Sequence, residues 1–482
     1  MSSEALSTRG SHNQDSAAIP IAPEPQGMSP VGLAVVLAGF ALSIADIFIV
    51  NVALTTIGND LHASVSGLEL IVSGYGITYA VALVLCGRLG DTFGRRRLFM
   101  SGVVAFTATS ALCGFAPTIG VLIAARLLQG AAAAMMVPQV LATIQATTTG
   151  AARAKAISQY GATAGLAALV GQILGGLLVA ANIGQSGWRA AFMINVPIGL
   201  LGLLFIRHVP ETKAERKPGF DVTGTALFGV AMMCVLIVIV EGQSLGWPLW
   251  LWGLLVVAAV STVALVRVER RLETSGGSPL LPPSILARHS MRTGLMAMVA
   301  FSMGFGAFMF LYAMVAQRGF GLGPLASGLV LAPFASTFFV VALFTPKIAG
   351  KLGRRIVTLG AGVQGTGLLL MALLLGTTWP DVPLVLVLLN LAFIGIGQAL
   401  IGPTLFRMIL ADVPPAAAGM GSGVLVTSQQ TATALGATVG GTLFLSLDAA
   451  LGKAYGAVLV IALLAVFSLS VFLVSLRLPE PR

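Results

Sequence analysis

From residue 31 onward the chain falls into long apolar runs separated by short polar stretches. Within each run the apolar residues are continuous rather than alternating, which predicts helices and argues against membrane strands. Roughly 20 mostly apolar residues carry a helix across a bilayer, and fourteen runs reach or approach that length. They lie at about 31–57, 67–89, 98–116, 119–146, 156–181, 190–207, 221–241, 249–267, 293–316, 324–348, 356–376, 382–411, 417–446 and 454–476, the sixth being short. Ahead of them, residues 1–30 predict a disordered tail. This stretch is polar and Pro-rich through its first 27 residues and lacks the apolar core of a signal peptide.

Composition agrees with that pattern. Of 482 residues, 57% are hydrophobic and 9% charged, against about 25% charged in soluble domains. With a mean hydropathy of +0.96, the chain reads as an all-α integral membrane protein without a sizeable soluble domain. The net charge of +10 reports topology rather than a nucleic-acid partner. If the N-terminus is inside and the spans alternate, only Arg189, Arg318 and Lys453 fall in outer segments. Arg126 falls inside a span, and the remaining Lys and Arg of the 27 lie on the inner side. This is the positive-inside bias, and it predicts both termini in the cytoplasm and residence in the plasma (inner) membrane. Cys86, Cys113 and Cys234 fall in apolar stretches and read as packing residues, not as a disulfide framework. The four histidines lie in the tail or near run ends, which argues against haem or redox chemistry, and no metal site is expected.

Two internal echoes organise the chain. "GRLGDTFGRRRL" (87–98) returns imperfectly as "PKIAGKLGRRIV" (346–357), and "GQILGG" (171–176) as "GATVGG" (436–441). Both offsets are about 260 residues, whereas six spans at the local spacing would give roughly 190. The surplus fits two extra spans between the halves. The expected units are a six-helix bundle at 31–207, two extra helices with their flanking loops at 208–292, and a second six-helix bundle with a short tail at 293–482.

Several positions carry candidate chemistry. Asp46 and Arg126 sit inside apolar runs, where a charge costs at least ~2.5–3.5 kcal/mol, so such residues face a cavity or a partner. Asp46 lies roughly 18 Å from the outer end of its helix and Arg126 roughly 14 Å deep, at 1.5 Å per residue. A direct or water-bridged encounter is therefore open to them, either as a working pair or as a static ion pair. Gln129 shares Arg126's face. In the stretch 87–97, Gly87, Gly90 and Gly94 permit a tight turn, and Asp91 can accept from an Arg or a helix N-terminus. Arg88, Arg95, Arg96 and Arg97 would anchor this turn in the cytoplasm, and a merely solvated basic loop is the alternative. Gly161 with Gly165, and Gly171 with Gly175 and Gly176, are small residues that let helices approach closely. The ninth run is rich in Met and Phe. With Tyr75 and Tyr79 of the second, Met303, Phe305 and Met309 could line a cavity for apolar ligands, or simply pack.

"GRLGDTFGRRR" resembles the signature loop between helices 2 and 3 of the major facilitator superfamily, and "IAARLLQGAAAA" (123–134) its fourth-helix Arg motif in proton-driven exporters. "ADIFIVNVAL" (45–54) and "WRAAFMINVPIG" (188–199) resemble first- and sixth-helix signatures of its fourteen-span drug:proton antiporters. The resemblance covers nearly the whole chain after residue 30. It implies the major facilitator fold, two six-helix bundles plus two central helices, and a 87–96 loop that latches one state of an alternating-access cycle. The family motif has Pro where this chain has Gln172, so the packing role of Gly171 and Gly175 carries over and a Pro-dependent kink does not.

No "GxxxxGK[ST]" occurs, which leaves an ion gradient rather than ATP as the energy source, with no cofactor. The expected function is proton-coupled export of lipophilic small molecules such as antibiotics, with Asp46, Arg126 and Gln129 coupling protons to substrate. The protein is expected to be a monomer and not an enzyme. An exporter or symporter of an endogenous metabolite is the first alternative. A membrane enzyme or lipid scramblase is the second, and it would call for a His, Cys or carboxylate cluster at one face.

Overall fold

The computed structural model describes residues 28–182, 187–213, 221–277, 279–280, 282–410 and 418–478, and among them it contains helices and no strand. Most of the expected N-terminal tail lies outside the described residues. The first half holds α1 (Pro30–Asp60), α2 (Val65–Phe93), α3 (Arg95–Gly114), α4 (Ile119–Thr147), α5 (Gly150–Ala181), α6 (Arg189–Met193) and α7 (Asn195–Leu204). A hairpin follows, α8 (Val222–Ser244) and α9 (Leu249–Thr274), then the short α10 (Pro283–Leu286). The second half holds α11 (His289–Met314), α12 (Pro324–Val330), α13 (Ala332–Leu352), α14 (Arg355–Thr378), α15 (Leu384–Leu410), α16 (Ala418–Leu451) and α17 (Lys453–Ser475).

Local chemistry sets the helix ends. Ser29 accepts from the Gly32 amide ahead of Pro30, and Ser64 and Thr118 cap α2 and α4 in the same way. Gly94, at φ 112°, is the single residue between α2 and α3. Among the described residues, twelve helices are long and apolar enough to cross a membrane. Two of the fourteen expected runs are not in that set. The sixth is no single helix: it breaks at Ile194 into α6 and α7, where Pro197 cannot donate to the carbonyl four residues back. The thirteenth falls in α16, a 34-residue helix carrying many Gly, Ser, Thr and Gln residues. Large apolar side chains such as Phe115, Leu204, Leu249 and Val385 are exposed on the outer surface of the bundle, as a lipid-facing surface requires.

The packing repeats. In the first half α1 packs on α5, α2 and α3 on α4, and α7 on α3. In the second α11 packs on α16, α13 and α14 on α15, and α17 on α14. The hairpin α8–α9 leans on α2 and reaches α16, so it sits beside the junction of the halves. Several contacts across that junction lie away from the Gly94 turn. Gln317 Nε2 donates to Val52 O (3.1 Å), Phe48 meets Phe305 with centroids 6.4 Å apart, and a Cβ on Gly76 would stand 2.9 Å from Ala434 Cβ.

Candidate functional site

A buried polar cluster lies where α1, α2, α3, α4 and α7 meet. Asp46 is fully buried and Arg126 is 1% exposed. Arg126 Nη1 donates to Asp46 Oδ2 (2.5 Å) and to Gln129 Oε1 (2.6 Å), and its Nε donates to Ile71 O (3.1 Å). The other carboxylate oxygen of Asp46 accepts from Gln129 Nε2 (3.0 Å) and from Asn195 Nδ2 (2.7 Å). Ser110 Oγ accepts from Gln129 Nε2 (2.7 Å) and from Asn195 Nδ2 (3.2 Å), closing the network. The Arg126 guanidinium also lies over the Tyr75 ring, 4.3 Å from its centroid. The expected trio is thus in direct contact, and both Nε and Nη1 of Arg126 have acceptors. That satisfaction is what makes two charges tolerable at this depth.

Backbone approach makes the cluster possible. A Cβ on Gly130, one turn beyond Arg126, would strike Tyr75 O and Thr78 Oγ1, so glycine lets α4 close on α2. On the other side of Asp46, a Cβ on Gly171 would stand 2.7 Å from Ala45 O, and one on Gly175 2.9 Å from Ile49 Cα. The small residues of α5 therefore seat the α1 turns that flank the carboxylate. Gly176 is buried in the same stretch, and Gln172 is 2% exposed with its backbone carbonyl facing Gly328 of α12. Gly165 meets Phe338, whereas Gly161 faces open space, so the second expected glycine pair acts only through one member.

The stretch 87–96 departs from the expected turn. Gly87 and Gly90 are helical, inside α2, and only Gly94 turns the chain. Gly90 is small because Gln139 of α4 crosses there to donate to Cys86 O (2.9 Å). Asp91 accepts from Arg95 Nη2 (2.8 Å) at the start of α3. The Arg96 amide donates to Glu211 Oε1 (3.1 Å), and the Arg96 and Arg97 side chains lie 3.8 and 3.7 Å from Glu211 Oε2. Arg88, expected in the solvated basic group, is instead buried. It donates to Pro279 O and faces Asp221 and Glu269 of the hairpin region.

The suggested cavity lining is dispersed. Tyr75 and Tyr79 stack at 6.1 Å and are both buried, with Tyr75 serving as a wall of the charged cluster. Phe305 faces Phe48 across the junction, the Met303 backbone lies against Gly436 of α16, and Met309 is buried in the shared core. Met296 is 59% exposed on the outer surface, while Met291 and Met298 are buried in the core of the second half, so the methionines of α11 form no single wall. Two clefts, one bordered by Arg354, Thr358 and Phe472 and one by Val81, Val222 and Cys234, touch none of the five proposed lining residues.

Sequence reasoning missed Asn195, Ser110, Glu211 and Glu69. Asn195 stands inside the quoted "WRAAFMINVPIG" stretch, which was its available signal. Glu69 interrupts an apolar run as Asp46 does, and it is 4% exposed.

Residues 36–437 match the Major Facilitator Superfamily, and the chain belongs to that family. It is 36% identical over 433 residues to the probable actinorhodin transporter of Streptomyces coelicolor, covering 88% of this chain and 74% of that protein. It is 33% identical over 412 residues to the puromycin resistance protein pur8 of Streptomyces alboniger, covering 84% and 80%. The tetracenomycin C resistance and export protein of Streptomyces glaucescens is 30% identical over 422 residues, covering 86% and 76%. In fold, the chain resembles the partially occluded inward-open xylose transporter XylE of E. coli, with a TM-score of 0.63 at 14% identity over 93% of this chain and 99% of that one. The protein is a multi-pass, all-helical membrane protein whose relatives are antibiotic and multidrug resistance transporters.

Proposed function

We propose that this chain is a proton-coupled antiporter that exports lipophilic small molecules such as antibiotics by alternating access. The observation that carries the reading is the Asp46–Arg126 pair, fully buried and shared among helices of one half. Protonation of Asp46 would remove the charge holding Arg126 Nη1, leaving the guanidinium with Gln129 Oε1 and Ile71 O and loosening α1 from α4. Substrate competing for the released polar groups would link its exit to proton entry. One proton moving down ~180 mV supplies about 4 kcal/mol, enough for a roughly thousandfold gradient at one-to-one exchange. The relatives that confer resistance to tetracenomycin C and puromycin favour antibiotics over endogenous metabolites as cargo.

The reading includes fourteen crossings, with α6–α7 and α16 supplying the two outside the twelve. It keeps the units 31–207, 208–292 and 293–482, a monomer in the plasma membrane without cofactor, and both termini in the cytoplasm. In that orientation the junction contacts at Val52, Phe305 and Ala434 belong to the middle and outer parts of the membrane. The test is drug-induced proton movement in proteoliposomes. Asp46→Asn is expected to fold and bind drug while losing drug-coupled proton flux, and wild-type flux in this variant makes Asp46 merely structural.

A further inference from the structure

Glu69 lies in the second turn of α2, buried at 4% exposure, at the end of that helix far from Gly94. Its carboxylate faces the other half: Thr442 Oγ1 of α16 approaches Oε1 at 3.4 Å and Oε2 at 3.5 Å. A Cβ on neighbouring Gly441 would stand 3.2 Å from Oε1, so α16 packs its small residues directly over the acid. Thr442 is in turn 3.4 Å from Ile239 O of α8, which closes the third side.

The surrounding charges do not neutralise a carboxylate here. From α8 the facing titratable group is Glu241, a like charge. From α16 the facing polar group is the Thr442 hydroxyl, which carries no charge. From α4 the cation nearest in sequence register is Arg126, already engaged by Asp46, Gln129 and Ile71 O. At the end of α1, Asp60 accepts from Arg189 and Trp188, and His62 beyond it is exposed. Among the described residues, no Lys, Arg or His forms an ion pair with Glu69. An ionised carboxylate enclosed in this way is far more costly than the neutral acid.

We propose that Glu69 is a second proton-binding residue of the transport cycle, which must take up a proton before α2 and α16 can close over it. One proton from the aqueous phase at that end adds to a carboxylate oxygen while the helices are apart, and the same O–H bond breaks when they part again. No other bond changes. The inference rests on the antiport reading for its place in a cycle, but the closure itself requires no substrate.

The experiment measures the distance between nitroxide labels on His62→Cys and Leu451→Cys, in otherwise cysteine-free full-length protein in lipid nanodiscs, as pH is varied. For one linked proton the ratio of closed to open molecules changes by up to about tenfold per pH unit. The parent is expected to close as pH falls, and Glu69→Gln to stay closed throughout. Glu241→Gln, which removes the facing charge, should let closure persist to higher pH. Asp46→Asn should keep the parent's pH dependence, which separates this device from the coupling pair. Retention of that dependence in Glu69→Gln, or its absence from the parent, overturns the proposal while leaving the Asp46 flux test standing.

Discussion

Asp46 accepts from one charged and two neutral donors, so Arg126 supplies the compensation that the neutral amides cannot. Breaking a buried pair by removing one partner costs about 3–5 kcal/mol, because a charge is left without compensation. Arg126→Gln is therefore expected to destabilise strongly. Adding Asp46→Asn should recover much of that loss, giving a coupling near ~3 kcal/mol in a double-mutant cycle measured by unfolding in mixed micelles. Additivity within about 0.5 kcal/mol would mean that the two do not interact energetically. At this scale the sequence was legible where a residue was expensive. Asp46 and Arg126 stand out from their runs because charge in lipid needs a reason, and Gln129 followed from helical spacing. Asn195 and Ser110 did not stand out, since a neutral side chain in a span carries no charge that demands a partner of opposite sign. Glu69 was hidden by its place near a polar stretch, where an acid reads as an edge residue that reaches for water.

At the scale of elements, the pairing of α1 with α5 decides where Asp46 stands. Gly171 and Gly175 allow contact with the backbone of Ala45, next to the acid, and of Ile49, about one turn beyond it. Gly175→Leu must push α1 away, and overpacking of this kind costs about 1–3 kcal/mol. Loss of transport is expected together with reduced thermal stability. Gly161→Ala, which meets nothing within 4 Å, should match the parent in both measurements. If Gly175→Leu also behaves as the parent, the α1–α5 seat does not position the acid. Glycine spacing alone could not tell these positions apart, because helical small-residue patterns say nothing about which face meets a neighbour. The same limit applies to the 87–96 stretch: its glycines read as a turn, yet α2 continues to Phe93 and Gly90 instead makes room for Gln139.

At the scale of the whole molecule, the echo of about 260 residues has a counterpart in the repeated packing order of the helices, while the position of α8–α9 beside α2 and α16 had no signal in the pattern of runs. Orientation rests on charge. The Arg-rich turn at Gly94 is tied to Glu211 and Thr212, so residues 94–97 and 209–213 share one end of the bundle. Thr118, at the start of α4, lies beyond the whole of α3, and Arg189 donates to Ala116 O and to Asp60 at that opposite end. The first end concentrates Lys and Arg, whose transfer across the membrane the positive-inside rule disfavours. A single cysteine at position 118 is therefore expected to react with an impermeant thiol reagent added to intact cells. One at position 213 should react only after the membrane is opened. Glu69, which belongs to the same end as Thr118, would then meet the outer aqueous phase when α2 and α16 part. Labelling at 213 from outside, with protection at 118, would reverse the molecule in the membrane and with it the side from which Asp46 and Glu69 draw their protons.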